Sequence, residues 1–227
     1  MRLRSSVAVA CLFIATACPV RAASVSVSPI RVDVSEPANS ASVSLKNDDA
    51  RPVNLQIRLF KWSLAKGDDD YEETDDVVVT PPVTTIAPGA SATVRIVRTS
   101  TAPITGEETY RLVVDEIPDA NRVKNLGVNV SLRYTVPVFF LNGDASQPKV
   151  AWSIRTEGGK RVLAAENSGD KHIRLNDMSL GSIKLYKGLA GYVLGHSTRT
   201  WLLPAKATGA RVISDSDAGR VDAPLSH

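Results

Sequence analysis

The sequence predicts an all-β protein of two domains, and three observations carry that prediction. Short runs alternate apolar with polar residues, as strands with one buried face do. Turn-forming residues interrupt these runs roughly every 8–15 residues, the spacing an immunoglobulin-like sandwich needs. Beyond the first twenty-two residues, no stretch repeats apolar positions at helical spacing over an ordinary helix length.

The N-terminus stands apart from this pattern. Arg2 and Arg4 precede an apolar run, Val7 to Ala17, too short to span a bilayer as a helix. Val20-Arg21-Ala22 places small residues three and one before a cleavage point, so residues 1–22 read as a secretory signal peptide. Cys18 after Ala17 raises a lipoprotein alternative, against which Ala15 stands as a poor substitute for leucine. Both cysteines, Cys11 and Cys18, leave with this segment, and disulfide and thiol chemistry leave with them. Arg2, Arg4 and Arg21 are three of the 27 Lys and Arg, so the remainder balances the 24 Asp and Glu. The formal charge of +3 belongs to the leader and is no nucleic-acid footprint. No other segment is long and apolar enough to cross a membrane as a helix, so no stable membrane insertion is expected.

The predicted strands follow in order. Ser24–Val34 (SVSVSPIRVDV) alternates valine with small or polar residues, and Ser40–Lys46 is the next short strand. Val53–Trp62 places Val53, Leu55, Ile57 and Leu59 on one face. Gly67–Asp76 (GDDDYEETDD) reads as a solvated hairpin tip, since its aspartates lack the spacing of a calcium loop. Val77–Val79, Ala92–Arg98 and Thr109–Ile117 continue the pattern, with Ile86-Ala87-Pro88-Gly89 as a turn. A strand at Leu126–Phe140 completes the first unit, residues 23–142. After a break at Asn142-Gly143-Asp144 and Gln147-Pro148, a smaller β unit at 147–227 contains Lys149–Arg155, Arg161–Asn167, His172–Ser179, Gly191–Leu194 and Thr198–Leu203.

A search for chemistry finds no catalytic set. Only His172, His196 and His227 are present, none beside a nucleophile motif, and His172 and His196 read as exposed loop or strand-edge residues. No Cys, His and carboxylate cluster suggests a metal, and no glycine-rich loop has the context of a phosphate or cofactor site. Asp115 and Glu116 are adjacent on a strand and point to opposite faces, so they are no facing acid–base pair. The expectation is a non-enzyme without cofactor or metal.

Leu126–Phe140 (LGVNVSLRYTVPVFF) carries more information. Leu126, Val128, Val130, Leu132 and Tyr134 form one apolar row, while Gly127, Asn129, Ser131 and Arg133 form the other. Pro137 lacks an amide donor and suits an edge or bulge. Such a strand either covers its own core or templates another chain's strand. Arg31, Arg95, Arg98 and Arg133 also lie inside strand patterns, where a cation must reach solvent or an acid such as Asp33, Asp115 or Glu116. The alternative is that two arginines meet between the domains and grip an anionic ligand.

Taken together, SPIRVDV, ATVRIVR, YRLVVDEIP, RYTVPVF, AENSGDKHIRLND and YVLGHSTRTWLLP, in this order after a signal peptide, resemble the periplasmic chaperones of the chaperone–usher pilus pathway. The resemblance is strongest to the archaic branch, which assembles spore-coat-U-like subunits. It implies two immunoglobulin-like β-sandwiches in an L-shaped arrangement, residence in the Gram-negative periplasm, and pilus or fimbrial subunits as clients delivered to an outer-membrane usher. It also implies that the chain lends a strand to a subunit lacking one, with Leu126, Val128, Val130 and Leu132 entering the subunit groove. Each buried side chain would contribute roughly 1.5–3 kcal/mol before association costs. The family holds the subunit's C-terminal carboxylate with two cations, and Arg31 matches the first. Arg133 is the nearest cation of suitable parity for the second, although the family's usual residue is a lysine. Whether the free protein caps its donor strand as a homo-oligomer stays open, and a secreted two-domain structural or adhesive surface protein is the alternative reading.

Overall fold

The computed structural model describes residues 25–118 and 131–226. Among these it contains strands and turns and no helix, as the alternation requires. The expected leader at 1–22 and the expected donors Leu126, Val128 and Val130 lie outside the described residues.

Ten strands build the first sandwich: β1 (Val25–Ser28), β2 (Val32–Ser35), β3 (Ser40–Asn47), β4 (Val53–Ala65), β5 (Asp68–Glu73), β6 (Val77–Thr80), β7 (Val83–Ile86), β8 (Ser91–Arg98), β9 (Glu107–Glu116) and β10 (Arg133–Leu141). One sheet runs β1-β3-β8-β6; the other runs β2-β10-β9-β4-β5, with β7 also on β4. Val43, Leu45, Val94 and Ile96 from the first sheet meet Leu55, Leu112, Val114, Val138 and Phe140 from the second, all fully buried. Tyr110 and Phe140 pack edge to face, their ring centroids 5.9 Å apart.

The second sandwich holds β11 (Val150–Glu157), β12 (Lys160–Asn167), β13 (Ile173–Leu180), β14 (Ile183–Lys184), β15 (Leu189–Val193), β16 (Ser197–Leu202), β17 (Arg211–Ser216) and β18 (Gly219–Pro224). Its sheets are β11-β12-β16 and β14-β13-β17-β18, with β15 also on β13. Trp152 and Trp201 stack at 5.8 Å at the centre of its core, and the Trp201 indole N–H donates to the Ala190 carbonyl at 2.9 Å. The all-β, two-sandwich fold expected from the alternation is what the chain adopts.

Three local expectations change. Ser24–Val34 is not one strand: it breaks at Pro29 and Ile30, so β1 pairs with β3 in one sheet and β2 with β10 in the other. The acidic stretch is not a solvated tip but strand β5, paired along β4 from Phe60↔Glu73 to Ala65↔Asp68. Its charges face water while the backbone extends the sheet, and the turn itself is Lys66-Gly67, both at positive φ. Finally, β17 and β18 form a hairpin over 211–224 that the sequence pattern does not indicate, pairing from Arg211↔Pro224 to Ser216↔Gly219.

The two sandwiches meet along a packed seam. Trp62, Phe139, Tyr192 and Leu194 form its apolar centre. At one end the β4–β5 turn docks on β16: the Thr200 amide donates to the Gly67 carbonyl at 3.1 Å, and Arg199 Nη1 lies 2.7 Å from Asp69 Oδ1. Gly67 is required there, because its φ is +85° and an added Cβ would lie 2.2 Å from Thr200 Oγ1.

Candidate functional site: an open strand edge ending in a cationic cleft

Strand β10 has two faces and two edges, and each has a distinct role. Its even-numbered residues Val136, Val138 and Phe140 fill the core of the first sandwich, with Tyr134 packed against them. In the sequence, the even-numbered apolar row that begins at Leu126 is therefore the one whose later members, Val136, Val138 and Phe140, fill the chain's own core. Its odd-numbered residues face the opposite way. Arg133 and Thr135 are exposed, whereas Pro137 and Phe139 are buried toward the seam.

Of the two edges, one is paired with β9 along its whole length, from Arg133↔Asp115 to Leu141↔Glu107. The other is shared. Strand β2 runs parallel to β10 and occupies that edge from Val138↔Val32 onward. Among the described residues, nothing pairs with this edge of Arg133–Pro137. Pro137 thus stands where its missing N–H is harmless, one residue before the β2 ladder begins. Leu132 continues the β9 ladder, its carbonyl accepting from the Glu116 amide at 2.9 Å. Beside it a cavity of about 580 Å³ opens between Arg58, Asp115, Ile117, Leu132 and Arg133.

The open edge ends at Arg31, which immediately precedes Val32 and so lies beside Pro137. Arg31 Nε bonds Asp33 Oδ2 at 2.9 Å, and its Nη1 bonds Asp217 Oδ2 at 2.8 Å. Asp33 was the expected intramolecular partner; Asp217, from the β17–β18 turn of the other sandwich, was not foreseen. Burial pushes the Asp217 carboxyl up, but His172, the Arg174 amide and the Arg31 charge outweigh it and hold the group at about 2.

The two arginines singled out from the sequence are not brought together. Arg133 lies four residues from Pro137 along β10, about 13 Å of strand. It is exposed, with Nε 2.5 Å from Asp115 Oδ1, and Arg58 Nη2 lies 2.6 Å from the same carboxylate. Burial raises the Asp115 carboxyl, but the bonds from Arg133 and Arg58 leave it below its ordinary value.

A different arginine shares the row of Arg31. Pro137 pairs with Arg111 of β9, so Arg31, Pro137 and Arg111 lie abreast, the outer two about 10 Å apart by strand spacing. The Arg111 guanidinium lies 3.6 Å over the Trp62 ring and 5.8 Å from the centroid of Tyr192. Its Nε is buried without a hydrogen-bond partner, as is Nε of Arg174. Burial raises the Tyr192 hydroxyl above its ordinary value, although the charges of Arg174, Arg111 and Arg31 all act on it in the opposite sense. The alternation TYRLVV conceals Arg111 because register with Arg31 requires knowing which strands are neighbours.

His172 is not an exposed edge residue. Its ring stacks on Phe139 at 3.7 Å with 13° between planes, and Nδ1 lies 2.8 Å from Glu107 Oε2. The Glu107 side chain is 1% exposed and also accepts from the His172 amide at 3.1 Å. His172 Nε2 is 3.7 Å from Asp217 Oδ2, an ion-pair distance beyond hydrogen-bond reach. Burial works against the imidazolium, but the Asp217 and Glu107 carboxylates prevail and hold it above the ordinary histidine value. Glu107, His172, Asp217 and Arg31 therefore form one chain of charges across the seam.

Comparison with known proteins places the chain in a family. The model of the pili and flagellar-assembly chaperone family, PapD N-terminal domain, matches residues 24–141. An uncharacterised fimbrial chaperone of Escherichia coli K12, YhcA, is 23% identical over 187 residues, covering 81% of this chain and 76% of that protein. Among solved structures, the CsuC–CsuE chaperone–tip adhesion subunit pre-assembly complex from archaic chaperone-usher Csu pili of Acinetobacter baumannii gives a TM-score of 0.76 at 25% identity, over 89% of this chain and 98% of that one. The Salmonella enterica SafA pilin–SafB chaperone complex gives 0.69 at 19% identity, over 90% and 98%. The family match spans more than half of the 227 residues, and the protein belongs to the pili and flagellar-assembly chaperone family.

Proposed function

We propose that this member of the pilus-assembly chaperone family captures pilus or fimbrial subunits by lending them the segment that leads into β10. The observation that carries this reading is the open edge of Arg133–Pro137, which ends at Arg31 where β2 takes over. A client strand laid along that edge and running parallel to β10 ends against Arg31, where its C-terminal carboxylate finds a guanidinium. Leu126, Val128, Val130 and Leu132 are the proposed groove-filling residues. Arg31 is the proposed anchor. For the second cation, the row geometry favours Arg111 over Arg133, which lies beside the body of the client strand, about 13 Å from its end.

The remaining parts of the proposal follow from the same reading. The chain acts without catalysis in the Gram-negative periplasm after removal of residues 1–22, and it passes the subunit to an outer-membrane usher. A second copy of the chain caps the open edge when no client is present. The proposed organisation is an N-terminal domain at 23–142 that captures and a C-terminal domain at 147–227 that closes the cleft.

Co-expression with pilus subunits from the same genome tests this directly. The expected result is a soluble 1:1 complex that survives purification and is lost when Arg31→Ala is combined with Val130→Asp. Losing both the carboxylate contact and one groove contact removes roughly 3–5 kcal/mol or more. A complex that withstands the double substitution contradicts the mechanism.

A further inference from the structure

The anchor is not vacant in the free protein. Arg31 Nη1 already holds a carboxylate, Asp217 Oδ2 at 2.8 Å, supplied by the second sandwich across the cleft. Asp33 engages Nε at 2.9 Å, so a client carboxylate gripped through two parallel N–H bonds on the outer edge of the guanidinium must take Nη1 together with Nη2, and Nη1 is the nitrogen Asp217 holds. Asp217 has two other supports: the Arg174 amide donates to its Oδ1 at 2.9 Å, and His172 Nε2 lies 3.7 Å from its Oδ2.

We propose that Asp217 is a resident competitor at the client anchor. A client carboxylate reaches Arg31 by displacing Asp217, which then rests on the Arg174 amide and His172 alone. This rests on the reading of Arg31 as the anchor. Its consequence is that capture and the contact between the sandwiches draw on the same guanidinium, so capture loosens one end of the seam while Phe139, Trp62 and Tyr192 hold its centre.

The exchange also sets a direction for pH. His172 is faced by Glu107 from β9, Phe139 from β10, Tyr192 from β15 and Asp217 from the β17–β18 turn. Arg31, Arg111 and Arg174 surround the Tyr192 side of the cleft. Bringing in a client carboxylate while Asp217 loses Arg31 adds net negative charge near His172, so the imidazolium proton is held more tightly in the complex. Binding then takes up a proton, and affinity falls as pH rises through the raised value at which the free protein loses that proton.

The probe is a synthetic strand of alternating valine and serine ending in a free carboxylate, with its C-terminally amidated counterpart as control. Binding is measured to the wild type, Asp217→Asn, His172→Gln and Arg31→Ala. Asp217→Asn should bind the carboxylate peptide roughly fivefold or more tightly than wild type and the amide no differently. Wild-type affinity for the carboxylate peptide should weaken as pH rises through the raised imidazole value, and His172→Gln should lose that dependence. If Asp217→Asn binds no better while Arg31→Ala still weakens binding, Arg31 anchors and Asp217 does not compete. If Arg31→Ala changes nothing, the anchor reading itself fails. Titration of the His172 imidazole by NMR supplies a test that needs no variant: its pKa should rise when the carboxylate peptide is bound, and an unchanged value overturns the proposal.

Discussion

Replacing Phe139 by alanine is expected to destabilise the protein by about 3–5 kcal/mol and to split one unfolding transition into two. The residue is fully buried, yet it lies on the odd row of β10 and faces away from the core of its own sandwich. Its ring stacks on His172 at 3.7 Å and lies 6.0 Å from Trp62 and 6.1 Å from Tyr192. Truncation therefore opens a cavity in the seam, whose apolar cluster is small: Trp62, Phe139, Tyr192 and Leu194, with Leu64 and Leu141 against them. The neighbouring Phe140→Ala makes the control: its side chain belongs to the first core, so it should cost as much while leaving the two sandwiches coupled. Calorimetry on both variants distinguishes them. A single transition in Phe139→Ala, with a loss under about 1 kcal/mol, would show that the seam is held elsewhere.

His172→Ala should cost a similar amount by a different route, about 3–5 kcal/mol, because it leaves the buried Glu107 carboxylate without the imidazole, with only the backbone amide of residue 172 still donating to it, and removes the ring stacked on Phe139. The milder His172→Gln exposes the electrostatic part. In the folded protein the imidazole is held above its ordinary value of 6.5, which is taken as its value in the unfolded chain. Its contribution to stability is therefore complete below about pH 6.5 and is lost as pH rises through the folded value. Wild type should accordingly lose melting temperature relative to His172→Gln as pH rises from about 6.5 through the folded value. Parallel curves for the two proteins would mean that His172 carries no charge in the fold.

Much of the fold was legible because sandwich strands bury one face. Val53–Leu59 and Ala92–Arg98 alternate as written, and both form strands of the first sandwich. What resisted was whatever depends on neighbours. Asp68–Glu73 is too acidic to read as a strand, since its backbone pairing with β4 supplies what its side chains do not. The sheet switch between β1 and β2 interrupts an alternation that looked continuous at Pro29-Ile30-Arg31. Within the site, Arg31 was visible because its cation breaks an apolar pattern. Arg111 became significant only when β9 and β2 proved to flank Pro137. His172 and Asp217 carry no local signature at all: a histidine after a turn and an aspartate within one acquire meaning from the Phe139 ring and the Arg31 guanidinium of the other sandwich.

The central claim is that the segment entering β10 fills a client's groove with its even-numbered side chains. The most direct measurement is a parity scan by co-expression with a pilus subunit, recording recovery of the soluble complex after aspartate is placed singly at positions 126 to 131. Substitution of Leu126, Val128 or Val130 should abolish or severely reduce the complex, since each buries a charge in an apolar groove. Substitution of Gly127, Asn129 or Ser131 should leave it largely intact. Equal losses at odd and even positions, or no loss at any, would contradict donation of this strand.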